Sequence, residues 1–184
     1  MKMGLVLTKG NFMAGYKLSM RDELERRYTE LRKQSIQMAN QVLRMPDVSL
    51  SLVDSASYAA FERWQNHPDR KVDWDWPTSW QAWKLNYPKR FECATWKGSR
   101  LIGFAMGRPT YHATGLRLDY IEKSPTATEP HLDLTYLALY TYATLLGATH
   151  VKIMNPINRE VRDYYEQKGF IYDLKSNSCI RRIV

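Results

Sequence analysis

The stretch NPINREVRDYYEQKGF, Asn155 to Phe170, reads as a complete structural sentence. Pro156 can neither donate to a β-ladder nor sit comfortably inside one, so Asn155-Pro156 ends a strand. Asn158 is then placed to cap a helix, its side-chain oxygen accepting orphan N–H groups of the first turn. Val161 opens a buried stripe that continues through Tyr164 or Tyr165. Adjacent residues lie about 100° apart around a helix, so one phenol packs inward while the other faces elsewhere. Gly169 stops the helix as its C′ residue, where a positive φ is required. The segment therefore predicts strand, sharp break, short helix, and a return into strand at Phe170.

Working outward, LDLTYLALYTYATLLGA is apolar nearly all round and predicts a helix buried against a sheet, ended by Gly147. THVKIM follows as a strand. GLRLDYIE reads as a strand with Leu116, Leu118 and Tyr120 on one face, and SPTATEPH breaks it. FECATW and LIGFAM flank KGSR as a hairpin with Gly98 in the turn. VSLSLVD alternates as a strand, and SASYAAFERW is a short helix with Ser55 near its cap. FIYDL and CIRRIV are the final strands. Asn66 to Tyr87 is expected to be irregular and aromatic. Residues 19–45 form a basic helix with Ser19 at its cap and Pro46 closing it. Its apolar seam, Leu24, Tyr28, Leu31, Ser35, Met38, Val42 and Met45, is either packed on its own domain or a homodimer contact.

The strand–helix–strand run implies a right-handed parallel crossover, and the hairpins imply antiparallel neighbours. A mixed α/β fold follows, with a sheet flanked by helices. The division expected is residues 1–46 as a basic helical extension and residues 47–184 as the main domain. The 184 residues are 44% hydrophobic and 25% charged, which excludes a disordered or fibrous chain. Two cysteines, and four histidines without ligand spacing, give no disulfide framework and no metal site. No run of about 18 apolar residues suggests a membrane span. The first fifteen residues hold no signal h-region, so a cytoplasmic protein is expected. Nine Lys/Arg face four Asp/Glu in residues 1–45, which accounts for most of the net charge of +8. That excess would attract nucleic acid or another acidic partner, although no nucleic-acid motif accompanies it.

The helix motif and the element order resemble the GCN5-related N-acetyltransferase superfamily over roughly Val48 to Val184. The family's N-x-x-(A/V)-x-x-(L/Y)-Y-E-x-x-G-F pattern is met by Asn158, Val161, Tyr164, Tyr165, Glu166, Gly169 and Phe170. ATWKGSRLIGFAMGR is similar to its second and third strands, and LLGATHVKIMNPIN to the approach to its fifth. The resemblance implies a mostly antiparallel mixed sheet whose fourth and fifth strands splay around the pantetheine arm of acetyl-CoA. It implies transfer of an acetyl group to an amine on a small molecule or protein. Tyr165 would be the acid that protonates the departing thiolate. Glu122 is preferred over Asp119 as the base, the two being expected on opposite faces of their strand. Ile121, Lys123, Thr126, Thr128 and Asn158 would contact acetyl-CoA.

The family's (Q/R)-x-x-G-x-(G/A) loop, whose amides cradle a diphosphate, is replaced here by IEKSPTATEPHLDL, with no glycine from Leu116 through Leu146. Three readings stay open: altered acetyl-CoA binding, another acyl donor, or an inactive module of the same fold that binds protein or nucleic acid. Asp73, Asp75 and Trp76 are the acceptor candidates, by charge and cation–π attraction to an amine.

Overall fold

The computed structural model of the chain describes the backbone of residues 9–183 and the side chains of residues 20–183. Seven strands form one sheet: β1 (Val48–Ser51), β2 (Phe91–Lys97), β3 (Arg100–Pro109), β4 (Gly115–Lys123), β5 (His150–Met154), β6 (Ile171–Asp173) and β7 (Ser178–Arg182). Their order is β1-β2-β3-β4-β5-β7-β6, antiparallel throughout except for the parallel pair β4–β5. That one parallel pair is the crossover expected from strand, helix, strand.

Helices α1 (Lys9–Val42), α4 (His131–Leu145) and α5 (Arg159–Gln167) bury residues in the core on one face, while α2 (Ser55–Phe61) and α3 (Trp76–Asn86) cover the other. α1 contributes Ile36 and Ala39 to the core it shares with α4 and the sheet, so the boundary drawn at residue 46 falls just past a helix embedded in the main core. No helix among the described residues is long and apolar enough to cross a membrane.

Three local expectations are corrected. α1 begins at Lys9, so Ser19 lies inside it rather than at its cap; the Ser19 side chain is outside the described residues. The buried stripe of α1 runs through Tyr28, Arg32, Ser35, Ile36 and Ala39, a period nearer 3.6 than the expected 3.5. Met38, Val42 and Met45 are consequently exposed. The aromatic segment contains α3: Asp75 caps it by accepting from the Thr78 amide at 3.0 Å, and Pro77 occupies its first turn.

Buried ionic contacts fasten α1 to the sheet. Arg32, 1% exposed, donates to Glu25 at 2.6 Å and to the Pro88 carbonyl at 2.7 Å. Arg90 pairs with Glu25 and with Glu92, whose carboxylate also accepts from Trp80 Nε1. Removing one member would strand a buried charge, a loss of about 3–5 kcal/mol.

His131 opens α4 fully buried, its Nε2 3.1 Å from the Phe104 carbonyl and its Nδ1 3.4 Å from Thr135 Oγ1. Burial pushes its pKa down to about 4. The folded chain therefore refuses a proton that the unfolded chain accepts below about pH 6.5. This contribution is fully present above pH 6.5 and is lost as pH falls toward 4, approaching about 3 kcal/mol. Urea unfolding between pH 6.5 and 4.5 should show that slope, and His131→Gln should flatten it.

Candidate functional site

The functional geometry begins with a mismatch of one residue. In the β3–β4 ladder Met106 pairs with Tyr120 but Gly107 pairs with Leu118, so Asp119 has no partner on β3. It is a β-bulge, which turns the strand and reverses side-chain parity beyond it. Leu116 and Leu118 face the core under α4, whereas Tyr120 packs on Trp74, Trp76 and Trp83 on the opposite face. This corrects the expectation that the three share a face. Gly107 stands opposite the bulge, where any Cβ would collide with the Arg117 carbonyl.

The β4–β5 ladder runs from Gly115–His150 to Leu118–Ile153 and stops there. β4 continues to Lys123 with its β5-facing edge unpaired, and the gap opens into a cleft of about 620 Å³. Asn155 ends β5 in the left-handed region at φ 48°, donating its amide to the Asn177 carbonyl at 2.9 Å. Asn tolerates that conformation better than most residues, and Pro156 carries the chain out of the sheet. Asn158 then caps α5 by accepting from the Val161 amide at 2.9 Å. The Asn-Pro break and the helix behind it thus shape the cleft's far wall.

α5 places its two phenols differently. Tyr164 is exposed, while Tyr165 is buried and lines the cleft. Burial, with Cys179 and Tyr164 nearby, pushes the Tyr165 phenol up to about 12, so it carries its proton throughout the neutral range.

Of the other sequence candidates, Ile121 and Lys123 line the cleft, on the unpaired stretch of β4. Asn158 is committed to its helix cap and is not part of the lining. Thr126 and Thr128 are exposed on the β4–α4 loop outside it, Thr126 against Ser124 Oγ at 3.2 Å. Trp76 is buried in the aromatic core, Asp75 caps α3, and Asp73 is exposed on the preceding loop, so these three do not converge on the cleft. Among the described residues no group of His, Cys, Asp or Glu could hold a metal ion.

The two β4 carboxylates lie on the same side of the sheet, because the bulge cancels the alternation that would have separated them. Glu122 accepts from Arg70 Nε at 2.5 Å and Nη2 at 2.9 Å, and from Trp76 Nε1 at 2.5 Å. Arg70 also donates to the Gln65 and Trp74 carbonyls. Glu122 therefore anchors the α2–α3 loop, whose Asp69, Lys71, Val72 and Trp74 form one side of the cleft. Asp119 differs. Its Oδ1 accepts from Arg117, its Oδ2 is buried without a hydrogen bond, and Arg108 Nε stands 3.8 Å from that oxygen. Burial raises its pKa, against the lowering pull of Arg117 and Arg108. An under-satisfied cleft carboxylate with a raised pKa has the character of a proton acceptor.

The β4–α4 loop spends its own amides. The Thr128 amide donates to the Glu129 carboxylate at 3.1 Å, that of Ala127 to the Ser124 carbonyl, and that of His131 to the Glu129 carbonyl. Glu129 is buried and pairs with Lys97 at 3.1 Å and Arg100 at 2.7 Å. The amides of Ala127, Thr128 and His131 are engaged within the loop and are not free to cradle a nucleotide diphosphate, whereas the β4 edge facing the cleft is unpaired.

No protein-family model matches the sequence, and no curated protein matches it significantly. Solved structures share its fold. Ard1 from Thermoplasma volcanium is 12% identical, with a TM-score of 0.57 over 75% of this chain and 99% of that one. An acetyltransferase from Thermus thermophilus is 15% identical, with a TM-score of 0.55 over 76% and 99%. N-acetylglutamate synthase from Neisseria gonorrhoeae, solved with coenzyme A and N-acetyl-glutamate, is 13% identical, with a TM-score of 0.54 over 77% of this chain and 36% of that one. The chain has the fold of the GCN5-related N-acetyltransferases, a mixed and mostly antiparallel sheet flanked by helices.

Glu122→Ala should leave the largely desolvated Arg70 without its carboxylate partner and lower stability by about 3 kcal/mol in urea unfolding, with Glu122→Gln losing less. Retention of wild-type stability by Glu122→Ala would show that the carboxylate does not anchor the loop.

Proposed function

We propose that the protein transfers an acetyl group from acetyl-CoA to an amine, using the cleft between β4 and β5. The observation that carries this reading is the parting of the two strands after Leu118 and Ile153, with the buried phenol of Tyr165 on its wall. Bound there, acetyl-CoA supplies an acetyl group activated as a thioester.

The chain's own residues supply the proton handling and the positioning. The unpaired edge of β4 from Asp119 to Lys123 offers main-chain donors and acceptors that would otherwise be left unsatisfied. Asp119 takes the proton that the amine must lose as it attacks the carbonyl carbon; its free Oδ2 is the receiving atom. As the C–S bond breaks, Tyr165 passes its phenolic proton to the sulfur. A phenol at about 12 is a weak acid against a free thiol, but a thiolate released into the same water-poor slot is raised by the same desolvation. Glu122, with both oxygens engaged, holds the acceptor-side loop in place.

A second reading concerns the donor. Because Glu129 takes the Thr128 amide, the nucleotide end of acetyl-CoA gains little from the loop, and the thioester arm carries recognition. Another pantetheine-linked acyl donor would then serve as well.

Four measurements test these roles. Saturating acetyl-CoA should raise the melting temperature, by the equivalent of about 2.7 kcal/mol at a hundred times Kd; the absence of any shift with acetyl-CoA and with S-acetylpantetheine would end the transferase reading. Tyr165→Phe should lower kcat by about 10²-fold, within the range for a lost general acid, with little change in fold. In the acid limb of kcat/KM the rate should rise with pH through a pKa above the ordinary carboxylate range, and Asp119→Asn should abolish that limb. If recognition rests on the arm, S-acetylpantetheine should keep kcat/KM within about tenfold of acetyl-CoA, a difference under about 1.4 kcal/mol.

A further inference from the structure

A second cavity, of about 520 Å³, lies at the opposite end of β4 from the unpaired edge, between α1, the α3–β2 turn and the β3–β4 connection. Its walls include Tyr28, Tyr87, Pro88, Lys89, Arg108 and Arg117. Three cations face it. Among the described residues one carboxylate answers them: Asp119, which accepts from Arg117 Nε at 2.7 Å and stands 3.8 Å from Arg108 Nε. Lys89 has no carboxylate within ion-pair distance among the described residues, and its ammonium lies 5.3 Å from the centre of the Tyr28 ring. The Arg108 guanidinium lies 4.4 Å from the centre of the Tyr87 ring and 5.5 Å from that of Trp83. Those ring contacts hold the group in place, and no hydrogen bond from it is made to any described residue. A fixed guanidinium with unused in-plane N–H groups suits a planar or tetrahedral oxyanion. The tyrosines and Pro88 give the same cavity an apolar wall.

Asp119 is the residue that joins the two cavities: it lines the transfer cleft, and its guanidinium partners line this one. We infer that this cavity holds the anionic group of the acceptor, so that the acceptor is an amine carrying a carboxylate or a phosphate. The inference rests on the transferase reading and deepens it. An acceptor with both charges meets opposite partners at one place: cations for its oxyanion, and the Asp119 carboxylate for its amine. Its oxyanion competes with Asp119 for Arg108 and Arg117, so binding also loosens the carboxylate that must take up the proton.

The test measures binding without a donor. Phenyl phosphate and 3-phenylpropionate are titrated separately, with benzyl alcohol as the uncharged control and benzylamine as the cationic one, while tryptophan fluorescence is followed. Trp83 borders Arg108 and reports occupancy. Saturable binding of either anion, with neither control binding, is expected; which anion binds more tightly assigns carboxylate or phosphate. Arg108→Gln and Arg117→Gln should each weaken binding about tenfold, equivalent to one lost charge-assisted contact. Asp119→Asn should tighten it severalfold by releasing both guanidiniums, and Lys33→Ala, on the exposed face of α1, should change nothing. Far-UV circular dichroism checks that each variant is folded; if either arginine variant is not, Lys89→Ala and the opposite effect of Asp119→Asn decide.

No saturable anion binding by the wild type up to about 10 mM, a limit equivalent to roughly 2.7 kcal/mol of affinity, overturns the inference. So does binding that is indifferent to these substitutions. A melting shift with acetyl-CoA beside absent anion binding overturns this inference alone. Anion binding with no shift from acetyl-CoA or S-acetylpantetheine removes the transferase reading and leaves an anion site. Where acetyl-CoA does shift the melting temperature, thiol release from it should favour β-alanine or phosphoethanolamine over ethanolamine, and the reverse preference would also overturn the assignment.

Discussion

Asp119 occupies a place on β4 for which β3 has no counterpart, and several features of the molecule follow from that surplus residue. A bulge increases local twist and bends its strand, so β4 diverges from β5 one residue after their last pair. Divergence leaves main-chain groups without partners along the edge of an otherwise paired sheet, a condition that favours a ligand able to satisfy them. The same surplus reverses which side chains face which layer. Tyr120 joins the tryptophans, Asp119 and Glu122 come to one side, and the cleft acquires a carboxylate in its wall. Gly107 permits this because β4's backbone comes too close for any side chain there.

Two carboxylates three residues apart end in different conditions because their surroundings differ. Glu122 has both oxygens occupied by donors from Arg70 and Trp76, and its charge is spent on holding the α2–α3 loop. Asp119 keeps an oxygen without a donor in a buried position. A carboxylate with an empty oxygen in a desolvated setting accepts a proton more readily than one in water. Burial alone would not distinguish them. The hydrogen-bond inventory does.

Much of the fold was legible in the sequence because its punctuation is local. Asn155-Pro156, Asn158, Gly147 and Gly169 act through backbone conformation and capping, which depend on a few neighbouring residues. α3 carried similar signals, Asp75 before Trp76-Pro77 and tryptophans at 76, 80 and 83 in helical spacing, but the density of aromatic residues concealed them. The bulge was not legible. Nothing in GLRLDYIE marks Asp119 as unpaired, since a bulge is a relation between two strands and depends on which residue of β3 stands opposite. Every inference from strict alternation beyond Leu118 therefore failed: the face of Tyr120 and the separation of Asp119 from Glu122. The α1 seam slipped for a related reason, since a straight helix lying on a sheet follows 3.6 residues per turn, whereas a supercoiled pair would follow 3.5.

The distribution of unanswered charge separates the two ends of the site. At the β4–α4 loop, Glu129 pairs with both Lys97 and Arg100 and takes the Thr128 amide, so the chain has supplied its own anion there. A visiting phosphate would have to displace a covalently tethered carboxylate that is already buried and paired, and tethering gives that carboxylate a high effective concentration. At the other end, among the described residues, Arg108 and Arg117 share the carboxylate of Asp119 and Lys89 pairs with none. That carboxylate has one oxygen held by Arg117 and one without a hydrogen bond to any described residue, and in the proposed transfer it is the group that changes charge. Internal compensation is strong where a donor's nucleotide would lie and weak where an acceptor would lie. On the proposed transferase reading, electrostatic discrimination acts on the acceptor, while the donor is recognised mainly through the arm that completes the sheet.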